Sequence, residues 1–498
     1  MPRRRLLLLL VFVVGASSLG GEIAAARLLA PWFGDSTLIW ANTIATVLVA
    51  LSAGYWIGGR LADRDPSLDR LSAIVLVAGG LFAVVPFVAG PFLRVSVDAF
   101  DALSAGAFVG SLVAVLVLIA LPMLLLGTVA PYAIRLAVTR VEEAGAVAGR
   151  LYAISTLGSL TGVFLSALLL IPLLGTRRTF LTFALALVLV AVVSMQRRWV
   201  LAPIGLAALL AIPAGTVKAT GDGRVIWEKE TPYQYARVVE TPDGERRLEL
   251  NEGQAVHSVY QPGTWLTGNY WDEFLVLPFA ARRAAPRSVA ILGNAAGTTA
   301  RAYGHFFPAA RVDGVELDSA LNDVGRELFD LHGARLHLHA EDGRTFLRAS
   351  ERRWDAIFVD AYRQPYVPFH LATREFFTLV RERLNPGGVV LVNAGHPEGS
   401  DALERTLATT IADVFPHVAR DPSQEVNTVL IASEAPISEE ALWRALPALP
   451  PALRPVGAAT ATRLASALTG GDVYTDDKAP VEWLIDASIV EVAARGER

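Results

Sequence analysis

The sequence predicts a bundle of about seven membrane-spanning α-helices, followed by a small β-domain and an α/β domain built on a mainly parallel sheet. The 498 residues are 53% hydrophobic and have a mean hydropathy of +0.42, which is too apolar for an ordinary soluble chain of this length. The long apolar runs all lie before residue 217. Beyond that point, short strand patterns alternate with helix patterns, as expected for strands covered by helices.

Charge divides the chain at the same place. Residues 1–216 contain 15 Arg, no Lys and 9 acidic residues, a formal charge of +6, whereas residues 217–498 contain 29 basic and 39 acidic residues, a formal charge of −10. An acidic second half argues against a nucleic-acid partner, which requires a basic surface. Because the chain has no Cys, it has no disulfide, thiolate metal ligand or Cys nucleophile.

The first half contains apolar runs that are mostly long enough to cross a hydrocarbon core of about 30 Å. We therefore predict a multi-pass domain over residues 1–216 in the cell membrane, with the lipid bilayer as its partner. Seven spans from a cytoplasmic N-terminus would place the second half outside the cell, which conflicts with a cofactor made in the cytoplasm. The side of the membrane on which the second half lies therefore stays open. The run at 199–216 is the weakest of the predicted spans. If it does not cross the membrane, the second half lies in the cytoplasm. The runs lie near 6–29, 38–59, 71–93, 107–130, 148–174, 179–195 and 199–216.

Basic residues in the first half occur where cytoplasmic loops are expected. They gather at Arg3–Arg5, around residues 60–70 and 135–150, and at Arg197 and Arg198. These groups fall in every second loop, as expected for loops on the cytoplasmic side. Within the first run, Glu22 and Arg27 are candidates for a function in the membrane, although a position near the interface or a role in helix packing is the favoured interpretation. Gly158 and Gly162 are spaced for a close contact between two helices.

A linker at residues 217–224 precedes a predicted small β-part at 225–285, which begins with a hairpin turned at Thr241–Gly244. Residues 286–498 are predicted to form a Rossmann-like nucleotide-binding domain. Ligands of such sheets bind beyond the carboxyl ends of the strands. The predicted strands are 335–340, 355–360, 388–393 and 426–432, and the predicted helices are 320–331, 373–384 and 401–414, after an opening βαβ unit at 289–318.

The βαβ unit contains a glycine turn after its first strand. In the segment Gly293-Asn-Ala-Ala-Gly297, the small residues Gly293, Asn294 and Gly297 allow the backbone to approach a ligand at the amino end of the following helix. Glu316 ends the second strand, where a carboxylate accepts both hydroxyls of a ribose. These residues predict an adenosine-binding site.

Two further acids follow later strands. Asp342 and Gly343 come after the third strand, and we predict that Asp342 accepts the exocyclic amine of adenine. Asp360 ends the next strand and is predicted to point into the same crevice. Each acid taken alone also fits a turn or a helix cap. His332, His337 and His339 cluster in sequence without a carboxylate ligand set, so we predict no metal site.

The region from about 225 to 434 resembles the spermidine synthases, which are polyamine aminopropyltransferases. Together with the first half and the ending at 474–482, the chain is similar to membrane-fused spermidine synthase-like proteins. The motifs that carry this resemblance are Tyr233-Gln234, Tyr270-Trp-Asp272, the loop Gly293–Thr299, Val315–Asp318 and the strand Trp354–Asp360.

The resemblance implies transfer of an aminopropyl group from decarboxylated S-adenosylmethionine to an amine such as putrescine. It also implies that Asp360 is the base and that Tyr270 assists it. Gln234 and Asp272, together with Asp360, are the implied substrate-binding residues. His257 and His370 flank the presumed crevice, and a homodimer is kept among the expected partners.

Two positions depart from the family pattern. Ala296 stands where the family has the Asp that holds the amine of the donor, and Arg363 stands where the family has a second acid after the catalytic Asp. Both changes remove negative charge that would bind amines. Two alternatives therefore stay open, namely a methyltransferase variant that uses intact S-adenosylmethionine, and a non-catalytic transporter or sensor that binds a polyamine or a nucleoside.

Overall fold

The structure, a computed structural model, describes residues 3–33, 37–102, 106–195, 201–211, 223–251, 255–362 and 367–495. The chain forms two compact units, one of Met1–Ala219 with Glu228–Ala236 and one of Thr220–Trp227 with Arg237–Arg498. The domain boundaries that we predicted after residues 216, 224 and 285 remain predictions.

The first unit is helical in its described residues from 3 to 211 and also contains the strand residues within Glu228–Ala236. Residues Ser166–Leu170 form a π-turn that joins two of its helices. In chain order the helices are α1 (Arg3–Phe33), α2 (Thr37–Arg64), α3 (Leu68–Ala102), α4 (Gly106–Leu118), α5 (Ala120–Gly127), α6 (Val129–Ala137), α7 (Ala144–Leu165), α8 (Ile171–Leu174), α9 (Thr176–Ser194) and α10 (Leu201–Ala211).

Within the described residues, six helical segments are long and apolar enough to cross a membrane. The seventh predicted run, 199–216, contains α10 (Leu201–Ala211), and the rest of this run lies outside the described residues. The run therefore stays a prediction as a span. The six segments are Arg4–Phe33, Ile39–Arg64, Leu68–Leu93, Ala120–Ala137, Val141–Leu174 and Thr176–Ser194.

Glycines allow α1 and α7 to pack closely. A Cβ atom added at Gly158 would lie 2.2 Å from the carbonyl oxygen of Phe12, and one at Gly162 would lie 2.0 Å from that of Ala16. Any larger residue would therefore push the two helices apart. The close contact predicted from the Gly158 and Gly162 spacing is confirmed.

The strands after residue 223 begin with a four-stranded sheet in the order β1-β2-β3-β4. The predicted hairpin is present, because β2 and β3 are neighbours and the amide of Gly244 donates to the carbonyl oxygen of Thr241 at 3.0 Å. Gly244 has φ +84°, a left-handed conformation that favours glycine. The strands are β1 (Arg224–Glu230), β2 (Tyr235–Glu240), β3 (Arg246–Leu250) and β4 (Val256–Tyr260).

A larger sheet follows, with the order β12-β10-β11-β9-β8-β5-β6-β7. The five strands from β9 to β7 are parallel, whereas β11, β10 and β12 form an antiparallel edge. The elements are β5 (Ser288–Leu292), α11 (Thr298–Phe306), β6 (Arg311–Glu316), α12 (Ser319–Leu328), β7 (Leu336–Ala340), α13 (Gly343–Ala349), β8 (Trp354–Val359), α14 (Arg374–Glu382), β9 (Leu384–Gly395), α15 (Ala402–Ala412), β10 (His417–Gln424), β11 (Asn427–Ser433), α16 (Glu439–Ala445), α17 (Arg454–Arg463), β12 (Ala465–Ser466) and α18 (Val481–Arg495).

The central strand β5 is buried on both faces. Val289 and Ile291 pack into one apolar cluster, and Ala290 and Leu292 pack into the other, as the two-residue period of a strand requires. After β5 the chain builds β6 and β7 on one side and then returns to build β8 on the other side. The strand order therefore reverses at the carboxyl ends of β5 and β8, which is the usual ligand position in such sheets.

Candidate active site

A cavity of about 410 Å³ opens at the carboxyl ends of the central strands. Gly293 after β5 and Asp360 after β8 both line it. Tyr270 reaches it from a 3₁₀ turn at Tyr270–Leu275. The remaining wall includes Tyr362, Asn393 and the segment from Gly395 to Pro397. The structure thus brings both predicted catalytic residues, Asp360 and Tyr270, together beside the glycine turn.

Three side chains donate hydrogen bonds to the carboxylate of Asp360. The phenol of Tyr270 lies 3.2 Å from both oxygens, Nε1 of Trp271 lies 3.1 Å from Oδ2, and Nδ2 of Asn393 lies 2.8 Å from Oδ1. Burial raises the pKa of Asp360 to about 7, and the three donors oppose that rise. The group therefore changes its protonation near neutral pH, which suits a general base.

Tyr270 is suited to donate rather than to ionise. Burial, followed by the negative charge of Asp360, raises the pKa of Tyr270 well above its usual value. Its ring also lies beside Trp271, with ring centroids 4.8 Å apart. Trp271 therefore has a polar role as well as a packing role, because its indole N–H donates to Asp360. Two successive aromatic residues thus hold one carboxylate.

The glycine turn requires glycine for two reasons. Gly293 has φ +88°, and a Cβ atom on it would lie 2.4 Å from the carbonyl oxygen of Asp360. Gly297 has φ +92° and begins α11, and a Cβ there would lie 2.3 Å from a methyl of Leu331. The close approach of β5 to the residue after β8 therefore depends directly on Gly293.

Asn294 and Glu316 lie at the same turn. Asn294 is 5% exposed, and both polar atoms of its side chain lack a hydrogen-bond partner among the described residues. Glu316 accepts from the amide of Ala295 at 2.9 Å and from the amide of Asp318 at 3.1 Å. Burial raises the pKa of Glu316 to about 7. Neither side chain is among the residues that line the cavity, and their contact with a donor stays a prediction.

Asp342 caps a helix. Its Oδ1 accepts from the amide of Thr345 at 2.9 Å at the start of α13, and its Oδ2 lies 2.9 Å from Nε2 of His370. The hydrogen bond from His370 lowers the pKa of Asp342 to about 2. Gly343 begins α13 against Leu292, where an added Cβ would lie 3.2 Å from the Cβ of that side chain. Neither residue lines the cavity, and the predicted adenine contact of Asp342 stays a prediction.

The two other implied substrate residues lie apart from the cavity wall. Asp272 is 5% exposed and accepts from the amides of Thr267 and Gly268 at 2.8–3.1 Å, so it organises the loop before the 3₁₀ turn. Gln234 is 8% exposed and belongs to the first unit, where its backbone bonds to Thr231. Their roles in substrate binding stay predictions.

Sequence reasoning missed three residues around Asp360. Asn393 and Asn427 both line the cavity and form a hydrogen-bonded pair beside the carboxylate, with Nδ2 of Asn427 2.9 Å from Oδ1 of Asn393. The phenol of Tyr362 donates to the carbonyl oxygen of Asn393 at 3.0 Å and accepts from the amide of Gly395. An available signal was the single amide in the apolar run Val389-Val-Leu-Val-Asn393, since a polar residue inside a buried strand needs a partner.

The histidines have separate environments. His257 lines the cavity, and burial lowers its pKa to about 4, so it is neutral at physiological pH. His337 contacts Arg311, and His339 contacts Asp313 at 3.0 Å. In the described parts of the chain, no three His or acidic residues gather as metal ligands would.

Of the two positions that depart from the family pattern, Ala296 is among the described residues and Arg363 is not. Ala296 is fully buried, and its amide donates to the hydroxyl of Ser258 at 3.0 Å. It does not line the cavity. Asp360 is therefore the one carboxylate among the described residues that line this cavity.

Comparison with known proteins identifies a conserved domain type in the second half. Residues 275–427 match the spermine/spermidine synthase domain family. A probable polyamine aminopropyl transferase of Bifidobacterium longum is 39% identical over 190 residues, which are 38% of this chain and 42% of the relative. Polyamine aminopropyltransferase 2 of Pseudomonas aeruginosa is 32% identical over 213 residues, 40% of this chain and 59% of the relative. The chain thus spans about half the length of these two curated relatives.

A third relative matches over a longer region. The polyamine aminopropyltransferase of Mycobacterium tuberculosis is 28% identical over 442 residues, 82% of this chain and 80% of the relative, so the alignment extends beyond the synthase domain into the earlier residues. Among solved structures, a probable spermidine synthase from Corynebacterium glutamicum covers 52% of this chain and 100% of its own, with 20% identity and a TM-score of 0.39.

Proposed function

We propose that this chain, which carries a spermine/spermidine synthase domain at residues 275–427, is a membrane-anchored aminopropyltransferase. The observation that carries the proposal is the buried carboxylate of Asp360 beside the glycine turn. This carboxylate accepts hydrogen bonds from Tyr270, Trp271 and Asn393. The names of the relatives support the same reaction class. In this proposal the substrates are decarboxylated S-adenosylmethionine and an amine.

The chemistry requires a base beside the amine. An ammonium group has no lone pair, so the attacking nitrogen must lose a proton before it forms a bond to carbon. Asp360 accepts that proton and Tyr270 orients the carboxylate. A carbon–nitrogen bond then forms while the carbon–sulfur bond of the sulfonium donor breaks, which releases neutral methylthioadenosine. Because the cavity holds both reactants side by side, positioning supplies much of the remaining rate.

The residues around the glycine turn fit an adenosine-containing donor. Gly293 leaves the space that a side chain would fill, and the buried amide of Asn294 has unused donors and acceptors among the described residues. Each oxygen of Glu316 that accepts a backbone amide retains a second lone pair for a ribose hydroxyl. We assign Gly293, Asn294, Gly297 and Glu316 to the donor. For Asp342 and Gly343 we propose a supporting role through the start of α13.

We propose that residues 1–216 anchor the enzyme in the membrane. Six described segments are long and apolar enough to span it. In the sequence, groups of Arg follow the second, fourth and sixth segments, whereas Arg94 follows the third and Arg177 and Arg178 follow the fifth. Arg60, Arg64 and Arg70 flank one such connection, and Arg135 and Arg140 flank the next. Six spans from a cytoplasmic N-terminus return the synthase domain to the cytoplasm, where an adenosyl donor is made.

The test is a product assay on the full-length protein in detergent or lipid nanodiscs. We expect methylthioadenosine and an aminopropylated amine when putrescine and decarboxylated S-adenosylmethionine are supplied, as identified by mass. Asp360→Asn should lower turnover by about 10²- to 10⁴-fold, the usual contribution of a general base, and should retain donor binding. Wild-type turnover in that variant would remove Asp360 from the mechanism.

The same assay separates the alternatives. Ala296, which stands where the family has a donor-binding acid, favours a test of intact S-adenosylmethionine as the second donor. Release of S-adenosylhomocysteine in place of methylthioadenosine would identify methyl transfer. Binding of an amine without either product would favour the non-catalytic transporter or sensor.

A further inference from the structure

Strand pairing brings the two asparagines beside Asp360 together. Asn427, the first residue of β11, pairs with Gly395 of β9, two residues beyond Asn393, so both amide side chains lie on the same face of the sheet. Gly395 has no side chain between them, and a Cβ there would lie 3.4 Å from Nδ2 of Asn427. The Asn427 amide therefore reaches Oδ1 of Asn393 at 2.9 Å.

The order of donors and acceptors in this pair matters for the carboxylate. An Asn side chain has a donor end and an acceptor end, and only the donor end stabilises a negative charge. Asn427 donates to the oxygen of Asn393, which leaves the Nδ2 of Asn393 facing Oδ1 of Asp360 at 2.8 Å. Asn393 is 3% exposed, so its orientation is fixed mainly by its protein partners, of which Asn427 is the one that bonds to its Oδ1.

We propose that Asn427 is a positioning residue that acts through Asn393 to keep the carboxylate of Asp360 in its proton-accepting form. The inference rests on the proposed function for the role of the carboxylate, but the hydrogen-bond chain can be tested without turnover. Among the described residues, the other titratable groups facing this cavity are Tyr270, Tyr362, His257 and His396. Tyr270 and Trp271 hold the carboxylate from the 3₁₀ turn, so Asn393 is its support from the sheet.

The informative variant is Asn427→Asp, which is nearly isosteric. An ionised carboxylate at position 427 only accepts hydrogen bonds, so Asn393 must turn its amide toward it and present an oxygen to Asp360. The variant also adds a negative charge near Asp360. Both changes disfavour the ionised form of Asp360, and we expect the acidic limb of kcat/KM against pH to move upward by about one pH unit or more.

Asn385→Asp is the matched control. Nδ2 of Asn385 donates to Oδ1 of Asp355 at 3.0 Å and so joins the same strands, β9 and β8, at their opposite ends. This substitution makes the same chemical change to an Asn beside an Asp but lies far from the cavity in the sheet. We expect it to leave the acidic limb in place. Asn427→Ala, which removes the donor without adding charge, should move the limb in the same direction as Asn427→Asp but by less.

A second measurement is independent of catalysis. In pH-difference infrared spectra of the full-length protein, the carboxyl band that is lost in Asp360→Asn reports the titration of Asp360. For Asn427→Asp, the spectrum of the double variant Asn427→Asp with Asp360→Asn is subtracted, which removes the band of the new carboxyl at position 427. We expect a higher titration midpoint in Asn427→Asp than in wild type. Equal midpoints would overturn the positioning role. A shifted midpoint in a protein that forms no product would instead leave this role intact and overturn the proposed function.

Discussion

At the residue scale, burial and hydrogen bonding act in opposite directions on Asp360. Burial disfavours the ionised carboxylate, whereas Tyr270, Trp271 and Asn393 stabilise it. The result is a pKa of about 7, well above the ordinary value of 3.8. A carboxylate with its usual pKa would be a weaker base toward an ammonium group. The surrounding side chains therefore set the basicity of the group as well as its position.

The raised pKa predicts a pH dependence. Asp360 accepts a proton only when it is ionised, so kcat/KM should fall about tenfold for each pH unit below about 7 and should level off above it with respect to this group. The measurement is the pH profile of methylthioadenosine formation at saturating donor. The residual rate of Asp360→Asn should lack this inflection, and an unchanged inflection in that variant would assign the titration to another group.

The sequence predicted the residues that end strands more successfully than those that support them. Asp360 and Gly293 could be located because the carboxyl ends of parallel strands meet at one edge of a sheet. Asn393 and Asn427 could not, because their contact depends on the register between β9 and an antiparallel neighbour. Asp272 has the expected residue type, but its carboxylate turns to backbone amides, and this choice depends on local loop geometry.

At the element scale, the glycine turn between β5 and α11 is the connection that sets the width of the crevice. Gly293 meets the backbone after β8, and the amides of Gly293 and Asn294 both donate to the carbonyl oxygen of Val315 on β6. Three neighbouring strands are thus joined within two residues. The turn was predictable from its small residues, whereas β10 was missed because its sequence mixes charged residues with Pro422.

Gly293→Ala tests the close approach at this turn. An alanine at φ +88° is strained by about 1–2 kcal/mol, and its Cβ would also clash with the backbone of Asp360. We expect a lower melting temperature and loss of turnover. Gly387→Ala is the control, since Gly387 has φ +70° with no atom within 4 Å of an added Cβ. It should lower the melting temperature less and retain turnover, and equal loss of activity in both variants would contradict the role of close approach.

At the scale of the whole molecule, the chain combines a helical unit with an α/β unit that contains the cavity. The division was predictable because the composition changes sharply after residue 216. The number of spans is not settled in the same way, because only Leu201–Ala211 of the run at 199–216 is described. That run stays a prediction, since a span requires about 20 consecutive apolar helical residues.

The six segments predict the side of the membrane on which the cavity lies. Because the natural chain has no Cys, single cysteines can be introduced and labelled without background. Glu439→Cys, on the exposed start of α16, should react with a membrane-impermeant maleimide only after cells are permeabilised. Leu174→Cys, at the exposed end of α8 between the fifth and sixth segments, should react in intact cells. The opposite pattern would contradict a cytoplasmic synthase domain.

The asparagine pair also has a consequence for biosynthesis. The base at position 360 precedes its direct support at 393 by 33 residues, and the residue that orients this support follows 34 residues later. A ribosome that has released Asp360 but not yet β11 therefore holds a nascent chain whose carboxylate lacks a fixed donor from the sheet. In the proposed mechanism, the full set of donors around Asp360 is therefore complete only late in translation.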